Sequence, residues 1–450
     1  MPWAISKDRK RMVVLSVDGV PYTLITRLLA CGELPNLAAI VAEGSLVRYN
    51  STLPWVSSVA WATYMTGVNA GKHGIYGFVD RQPDSYKTFI PTARHIRSET
   101  LWEYLSRQGK RVVVMNVPVT YPPRPINGIL VGCFLSPNLE KATYPPQVAE
   151  KLKELGYRID ADPWLARDDK AKLLDELDLT LAKRAEAMFY FMAHEEWDFF
   201  QCHIMETDRL HHFLWQEMEE AHPTLAPRFY AFYRRLDEII GQLHSRLDDS
   251  TGLIVLSDHG FCGIKQEVYV NHWLAQQGWL KFEVETPQSL ADISAQAVAY
   301  SLDPGRIYIH LRGREPKGTV SPGAEYEALR EEIASAALEL TEPKSGERLF
   351  QAAFKREELY HGPCFDAAAD LILQPADGFD PKGAIYKNTL TFKGPVLVGM
   401  HTFDDAFLYI RGHQIKGGTW SILDATPTIL QLMDLPIPSY MDGQPVAVKQ

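Results

Sequence analysis

Short apolar runs alternate with longer amphipathic stretches along most of the chain. Residues 11–17 (RMVVLSV) form a β-rich apolar run with the character of a buried strand. A helical pattern over 99–108 precedes a second apolar run, 111–117 (RVVVMNV). A long helical pattern over 169–194 leads into a strand candidate at 197–205 (WDFFQCHIM), and another over 228–247 leads into 253–257 (LIVLS). Strands separated by helices predict an α/β fold, with a mostly parallel sheet covered by helices on both faces.

Three of these strands run into an acidic residue. Asp18 follows the first, Asp208 lies just past 197–205, and Asp258 follows 253–257. One Asp after a strand is ordinarily a turn residue or a helix cap. Three of them are different, because open α/β sheets bind ligands beyond the carboxyl ends of their strands. The three carboxylates are therefore candidates for one crevice.

The rhythm breaks over 265–395. Helical pieces at 290–302 and 325–341, a strand at 306–311 and several Gly/Pro turns predict a smaller inserted α+β cap region. The main core then comprises 10–264 and 396–450. A strand over 395–400 returns to that core and ends at His401, and a last helix near 421–433 precedes a Pro-rich tail. The chain shows no internal repeat and no low-complexity tract.

Composition narrows the class. A chain of 450 residues, 46% hydrophobic and 23% charged, suits one large α/β domain with an insertion, or two domains. A formal net charge of -10 argues against stable nucleic-acid binding through a broad basic surface. A small phosphorylated substrate remains compatible, since metal ions supply positive charge locally. The start, MPWAISKDRK, is basic and leads into too short an apolar run for a secretory signal, and no window has the apolar length of a membrane span. The five cysteines (Cys31, Cys133, Cys202, Cys262, Cys364) are scattered without a CxxC pair. They read as reduced, buried small hydrophobes in a cytoplasmic protein.

Four local patterns carry candidate chemistry. In Ser257-Asp258-His259-Gly260, adjacent Asp and His can ligate one metal from a tight turn, although the string alone is as well read as a turn. In Asp208-Arg209-Leu210-His211-His212, Asp208 and His212 are four apart and share a helix face; an N-capping Asp with surface histidines is the plainer reading. His401 gains weight only beside other ligands. Ser57-Ser58 precedes a helical stretch, where a hydroxyl is either a cap or a nucleophile aided by the helix N-terminus. The total is three carboxylates (Asp18, Asp208, Asp258) and three imidazoles (His212, His259, His401). With a serine oxygen, that is enough for two divalent ions. Mixed Asp/His ligation suits zinc first and manganese second, and disfavours calcium.

Taken in order, these pieces resemble the type I phosphodiesterase/nucleotide pyrophosphatase family of the alkaline phosphatase superfamily. The resemblance begins at LSVDGV and continues through Ser57…TG…HGI, DxxxH, SDHG and GMH to ILDATPTILQLMDLPIPSYMDG. The stretch from ETLWEYL to VPVTYPP and the phrase HLRGREPKG further resemble a prokaryotic subgroup of predicted phosphohydrolases and phosphomutases. The resemblance implies an alkaline-phosphatase-like fold and two metal ions. One ion would be held by Asp18, Asp258, His259 and the Ser57 oxygen, the other by Asp208, His212 and His401. Ser57, nine residues before Thr66-Gly67, stands where the pyrophosphatases have a nucleophilic Thr, and a phosphoseryl intermediate follows. The family's Asn three positions after the nucleophile is Ala60 here, so the phosphate clamp must differ. Lys72 is a candidate replacement, with a solvated loop lysine as the plainer reading. His211 would be exposed or support the ligands. No sulfatase-type CxPxR string is present. The expected activity is cleavage of phosphodiester or pyrophosphate bonds in a small substrate such as a nucleotide. The rivals are a phosphomutase, phosphotransferase or phosphomonoesterase on the same site, and a non-catalytic metal-stabilised binding protein. Trp55, Trp61, Tyr76 and Phe78 are candidates to stack a base, with core packing as the commoner role.

Overall fold

The computed structural model describes residues 10–448; the basic amino-terminal stretch at 1–9 lies outside the described residues. Its centre is an eight-stranded sheet. In spatial order the strands are Gly44–Tyr49, Ala406–Arg411, Thr251–Ser257, Arg11–Val17, Phe199–Ile204, Val112–Met115, Gly128–Val131 and Thr143–Tyr144. Only Ala406–Arg411 and Thr143–Tyr144 run against the rest. The sheet is thus mostly parallel, as the alternation of strands and helices predicts.

Successive side chains of a strand point to opposite faces, and both faces of this sheet are buried. Val13, Leu15 and Val17 enter one core, packed by helices Tyr22–Ala30, Lys170–His194, Glu206–Glu219 and Leu225–His244. Met12 and Val14 enter the other, packed by Ser57–Thr66, Leu101–Arg107 and Ala425–Leu432. Double burial explains why these strands read as continuous apolar runs rather than as alternating ones.

Residues from 266 onward build a separate layer. Ala299–Leu302, Arg306–Ile309, Leu371–Pro375 and Phe350–Lys355 form an antiparallel sheet, backed by helix Ala324–Glu339. Its hydrophobic core also takes in Val59, Ala70 and Tyr76 from the segment that begins at helix Ser57–Thr66. Among the described residues, no single helix is long and apolar enough to cross a membrane.

Three expectations are corrected. The helix expected over 290–302 is a 3-10 turn at Leu290–Asp292 followed by the strand Ala299–Leu302. That strand pairs antiparallel with Arg306–Ile309 across Asp303-Pro304-Gly305, and the turn chemistry of this tripeptide outweighs the apolar pattern. The strand expected over 395–400 is Gly399–Thr402, which joins Gly260–Gly263 in a two-stranded ribbon outside the central sheet, with His401 inside it and not at its end. Cys31 is exposed, whereas Cys133 and Cys202 are buried and Cys262 and Cys364 partly so.

Candidate metal centre

Three adjacent strands of the sheet, Thr251–Ser257, Arg11–Val17 and Phe199–Ile204, end side by side. Asp18 and Asp258 are the first residues beyond two of them, and Asp208 lies in the first turn of helix Glu206–Glu219, just beyond the third. The Asp18 amide donates to the Ile204 carbonyl (3.0 Å), and the Gly19 amide to Asp258 Oδ1 (3.0 Å). Gly19 has φ +63°, and a Cβ there would lie 3.0 Å from His259 and Phe261, so glycine lets the chain turn under the site. Gly260 is needed for another reason: a Cβ there would meet Thr402 Oγ1 at 2.4 Å, blocking the ribbon that carries His401.

The structure brings the seven candidate residues together. Ser57 is the first residue of helix Ser57–Thr66, and its Oγ lies 3.1 Å from both Asp18 Oδ1 and His259 Nε2. His259 Nε2 is 3.5 Å from Asp18 Oδ1 and 3.3 Å from Asp258 Oδ2. His212 Nε2 is 3.3 Å from Asp208 Oδ1, one helical turn away, and His401 Nε2 is 3.1 Å from the same oxygen. The rings of His259 and His401 stack with centroids 3.7 Å apart, which joins the two groups. Asp208, His212 and His401 converge closely enough to share one ion, and so do Asp18, Asp208 and His259.

The donor set fits divalent cations. His212 Nδ1 donates to the Gly399 carbonyl (2.9 Å), His259 Nδ1 to that of Gly260 (3.0 Å) and His401 Nδ1 to that of Trp55 (3.2 Å). A carbonyl only accepts, so each Nδ1 carries a hydrogen and each Nε2 is turned into the site, where it can offer a lone pair to a cation. His212 Nε2 and His401 Nε2 lie 2.9 Å apart, a separation at which a proton or a cation must sit between them. Asp258 Oδ2 is buried and has no hydrogen-bond partner among the described residues. Buried lone pairs without donors are costly unless something positive meets them.

Titration behaviour carries the same message. Burial, then the charge of Asp18, pushes the Asp258 carboxyl well above its ordinary range. Burial also raises Asp208, but the imidazoles of His212 and His401 outweigh it and hold the group well below that range. Burial and the neighbouring His401 lower His259 to about 3. Carboxylates this close require protons or metal cations among them.

Several supporting residues escape sequence reasoning. Asp18 Oδ2 accepts from Trp61 Nε1 (2.9 Å) and from His203 Nε2 (3.1 Å). His203 Nδ1 lies 3.1 Å from Ser16 Oγ, which accepts from Gln201 Nε2 (3.2 Å); Gln201 Oε1 accepts from Tyr64 OH (3.0 Å). This buried chain orients Asp18 as carboxylate–imidazole pairs orient metal ligands. Its sequence signal is Gln201 and His203, two apart in an otherwise apolar strand and hence on one face. Arg209 bonds Asp160 (2.8 Å) and Asp208 Oδ2 (3.3 Å).

Other expectations resolve individually. His211 is buried and donates from Nδ1 to the Gly19 carbonyl (2.8 Å), while Nε2 accepts from Tyr233 OH (2.8 Å). Lys72 pairs with Asp442 and donates to the Tyr440 carbonyl (2.9 Å), so it is neither a solvated loop lysine nor placed to clamp a substrate. Tyr76 is buried and donates to the Cys364 carbonyl (2.7 Å), whereas Phe78 is exposed.

A cavity of about 750 Å³ opens onto this cluster. Ser57, Ser58, Asp208, Arg209, His212 and His401 form its floor. Glu267, Asp303, Asp380, Lys382 and Phe392, all within 265–395, also line it.

Comparison with known proteins agrees in fold. The family model for type I phosphodiesterase/nucleotide pyrophosphatase matches residues 12–404. No curated protein sequence matches the chain. A phosphonoacetate hydrolase from Sinorhizobium meliloti 1021, in complex with phosphonoformate, superposes with a TM-score of 0.65 at 15% identity, covering 95% of each chain. Murine ectonucleotide pyrophosphatase/phosphodiesterase 5 in complex with AMP gives 0.56 at 14% identity, covering 95% of this chain and 96% of that one. The wild-type alkaline phosphatase PafA gives 0.60 at 13%, covering 98% and 99%.

Proposed function

The chain belongs to the type I phosphodiesterase/nucleotide pyrophosphatase family of the alkaline phosphatase superfamily, and from that premise we propose a two-metal phosphohydrolase that cleaves phosphodiester or pyrophosphate bonds with Ser57 as nucleophile. One observation carries the reading: three imidazoles, each tied at Nδ1 to a backbone carbonyl, turn Nε2 toward three buried carboxylates around the Ser57 hydroxyl.

Asp18, Asp258, His259 and Ser57 Oγ would hold one ion; Asp208, His212 and His401 would hold the other. Zinc is preferred, with manganese as the second choice. When bound, such ions lower the pKa of a ligated hydroxyl and offset charge on the attacking and leaving oxygens. Asp18 and His259 aim Ser57 Oγ, and Trp61 and His203 fix Asp18. Ser57 Oγ passes its proton to Asp18 Oδ1 and attacks phosphorus, forming one P–O bond while the bond to the leaving oxygen breaks and that oxygen takes a proton from water. Water then cleaves the phosphoserine, releasing the phosphoryl product and restoring the hydroxyl. While the Val59 and Ala60 amides already bond the Val56 carbonyl, those of Ser57 and Ser58 at the start of helix Ser57–Thr66 suit the phosphoryl oxygens. So does Ser58 Oγ, which is buried, lines the cavity and has no partner among the described residues. This hydroxyl stands in for the amide missing at Ala60. The segment 265–395 acts as a cap that shields the phosphoserine from premature attack. Phosphorus oxyanions bound by the compared structures, phosphonoformate and AMP, support a small phosphorylated substrate.

The test compares hydrolysis of bis(p-nitrophenyl) phosphate and p-nitrophenyl phosphate by zinc- or manganese-loaded protein and by chelator-stripped protein. Metal-dependent turnover favouring the diester is expected. Preference for the monoester would replace this reading with a phosphatase or mutase, and failure on both with ions bound would point to a binding protein.

A further inference from the structure

We infer that a second cavity, abutting the one over Ser57, seats a sugar or other neutral polyhydroxyl arm of the substrate; this rests on the phosphohydrolase reading above. The second cavity measures about 1160 Å³ and is lined by the tip of the hairpin that pairs Asp80–Arg81 with Thr88–Phe89, and by residues 382–387. Glu267, Asp303, Lys382 and Lys387 line both cavities, so the two are neighbours across these four side chains. The hairpin is fixed in place. Asp80 Oδ1 accepts from Arg306 Nη1 (2.6 Å), and Tyr86 OH donates to His310 Nε2 (2.5 Å), whose Nδ1 donates to the Ala297 carbonyl (2.8 Å). The second cavity is therefore preformed, as ligand sites usually are.

The two linings differ in chemistry. Among the described residues, the lining over Ser57 holds no Asn, Gln, Thr or Tyr, and its only hydroxyls, Ser57 and Ser58, sit at the reaction centre. The neighbouring lining is rich in amides and hydroxyls, and the side-chain amide of Gln82 and the hydroxyls of Thr88 and Tyr386 have no hydrogen-bond partner among the described residues. On the shared wall, Glu267 Oε2 accepts from Tyr269 OH (2.5 Å) and Asp303 Oδ1 from the Gly383 amide. Glu267 Oε1 and Asp303 Oδ2 are left without donors among the described residues. Lys382 Nζ pairs with Asp380 (2.6 Å) and keeps further hydrogens to donate. Donors and acceptors interleaved in this way match hydroxyl groups, which do both, because a site selects polar groups by pairing them. The charges of the lining cancel, with Asp84, Glu267 and Asp303 against Lys87, Lys382 and Lys387, so a neutral arm fits better than a second phosphate. A nucleobase would need an open aromatic face, but the Lys387 ammonium already lies over the rings of Tyr269 (4.9 Å) and Tyr386 (5.5 Å).

The experiment is a calorimetric titration of metal-loaded Ser57→Ala protein, which leaves esters intact, with cyclohexylmethyl phosphate, glucose 6-phosphate, trehalose 6-phosphate and AMP. Cyclohexylmethyl phosphate offers a ring of similar size without hydroxyls. At least one sugar phosphate is expected to bind about tenfold tighter than the cyclohexylmethyl ester, as a few additional hydrogen bonds allow. That advantage should fall about threefold or more in Gln82→Ala/Thr88→Ala, whose exposed positions leave the core intact. Sugar phosphates that bind no tighter than cyclohexylmethyl phosphate, AMP that binds tighter than both of them, or an advantage that survives the double variant would each overturn the inference. Turnover of methyl p-nitrophenyl phosphate by the unsubstituted protein, measured separately, tests the phosphohydrolase reading: its absence would remove that reading, while the titrations still decide whether the second cavity takes a polyol.

Discussion

The two ends of the cavity are built on opposite principles. Beneath the floor, Asp18, Asp258 and His259 are fully buried, and the imidazoles of His212, His259 and His401 are each pinned by a backbone carbonyl. At the mouth, Trp164 and Phe392 sit in loop or short irregular elements and face solvent. The floor draws its precision from the sheet, because parallel strands in fixed register set where their terminal residues stand. The mouth has no such constraint and is free to vary with the substrate. Chemistry placed on strand ends and selectivity placed on loops is the division of labour that open α/β sheets favour.

Substitutions should separate the two ends, and the largest effect belongs to the floor. Ser57→Ala is expected to lower kcat by about four orders of magnitude or more, with metal content measured by emission spectroscopy largely retained. An alanine variant that keeps most of its activity would remove the nucleophile from Ser57. Trp61→Phe deletes one donor to Asp18 while keeping an aromatic ring in the core, and should weaken metal affinity about 10- to 100-fold. Unchanged affinity would mean that His203 alone orients Asp18. Ser58→Ala should cost about 10- to 100-fold in kcat if its hydroxyl donates to the phosphoryl group, with little change in metal affinity. A loss confined to KM would instead assign it to uniform substrate binding.

A smaller effect concerns the helix that carries Ser57. His73 is buried, its Nε2 lies 2.9 Å from Thr63 Oγ1 on that helix, and burial lowers its pKa to about 3. Its unfolded pKa is about 6.5, so between those values the unfolded chain binds a proton that the folded chain does not. Stability from this group is therefore present above pH about 6.5 and declines as pH falls toward 3, by about 2 kcal/mol at pH 5. Urea unfolding at pH 7 and pH 5 should show a shallower pH dependence in His73→Asn; an unaltered slope would show that the imidazole is protonated in the folded state. The smallest effect lies at the mouth. Trp164→Ser should change stability by no more than about 0.5 kcal/mol, seen as an almost unmoved thermal midpoint. A large drop would make Trp164 part of the core.

Much of this architecture was legible in the chain. Runs such as RMVVLSV identify doubly buried strands, and the acidic residues beyond them mark the carboxyl edge of the sheet. The spacing of Asp208 and His212 suffices to place both on one helix face. The errors came where neighbours in space outweigh neighbours in sequence. Residues 290–302 carry enough alanine and leucine to look helical, yet pairing with Arg306–Ile309 makes 299–302 a strand. His401 is drawn beside His259 by a ribbon whose other strand, Gly260–Gly263, lies far earlier in the chain. Lys72 looked available for a substrate until Asp442, from the distant carboxyl-terminal stretch, was seen to occupy it.

Residue type and short-range spacing alone determine which groups can act as ligands, nucleophile and strand, because those properties belong to the side chain and its near neighbours. Tertiary structure alone decides how they are presented. The shared Nε2 orientation depends on the carbonyls of Gly399, Gly260 and Trp55, and the aim of Asp18 depends on Trp61 and His203. The apolar mouth depends on loops that meet only after folding. Hydrogen bonds and van der Waals contacts act over a few ångströms, so whatever depends on partners distant in sequence is settled only when the chain has brought them within that range.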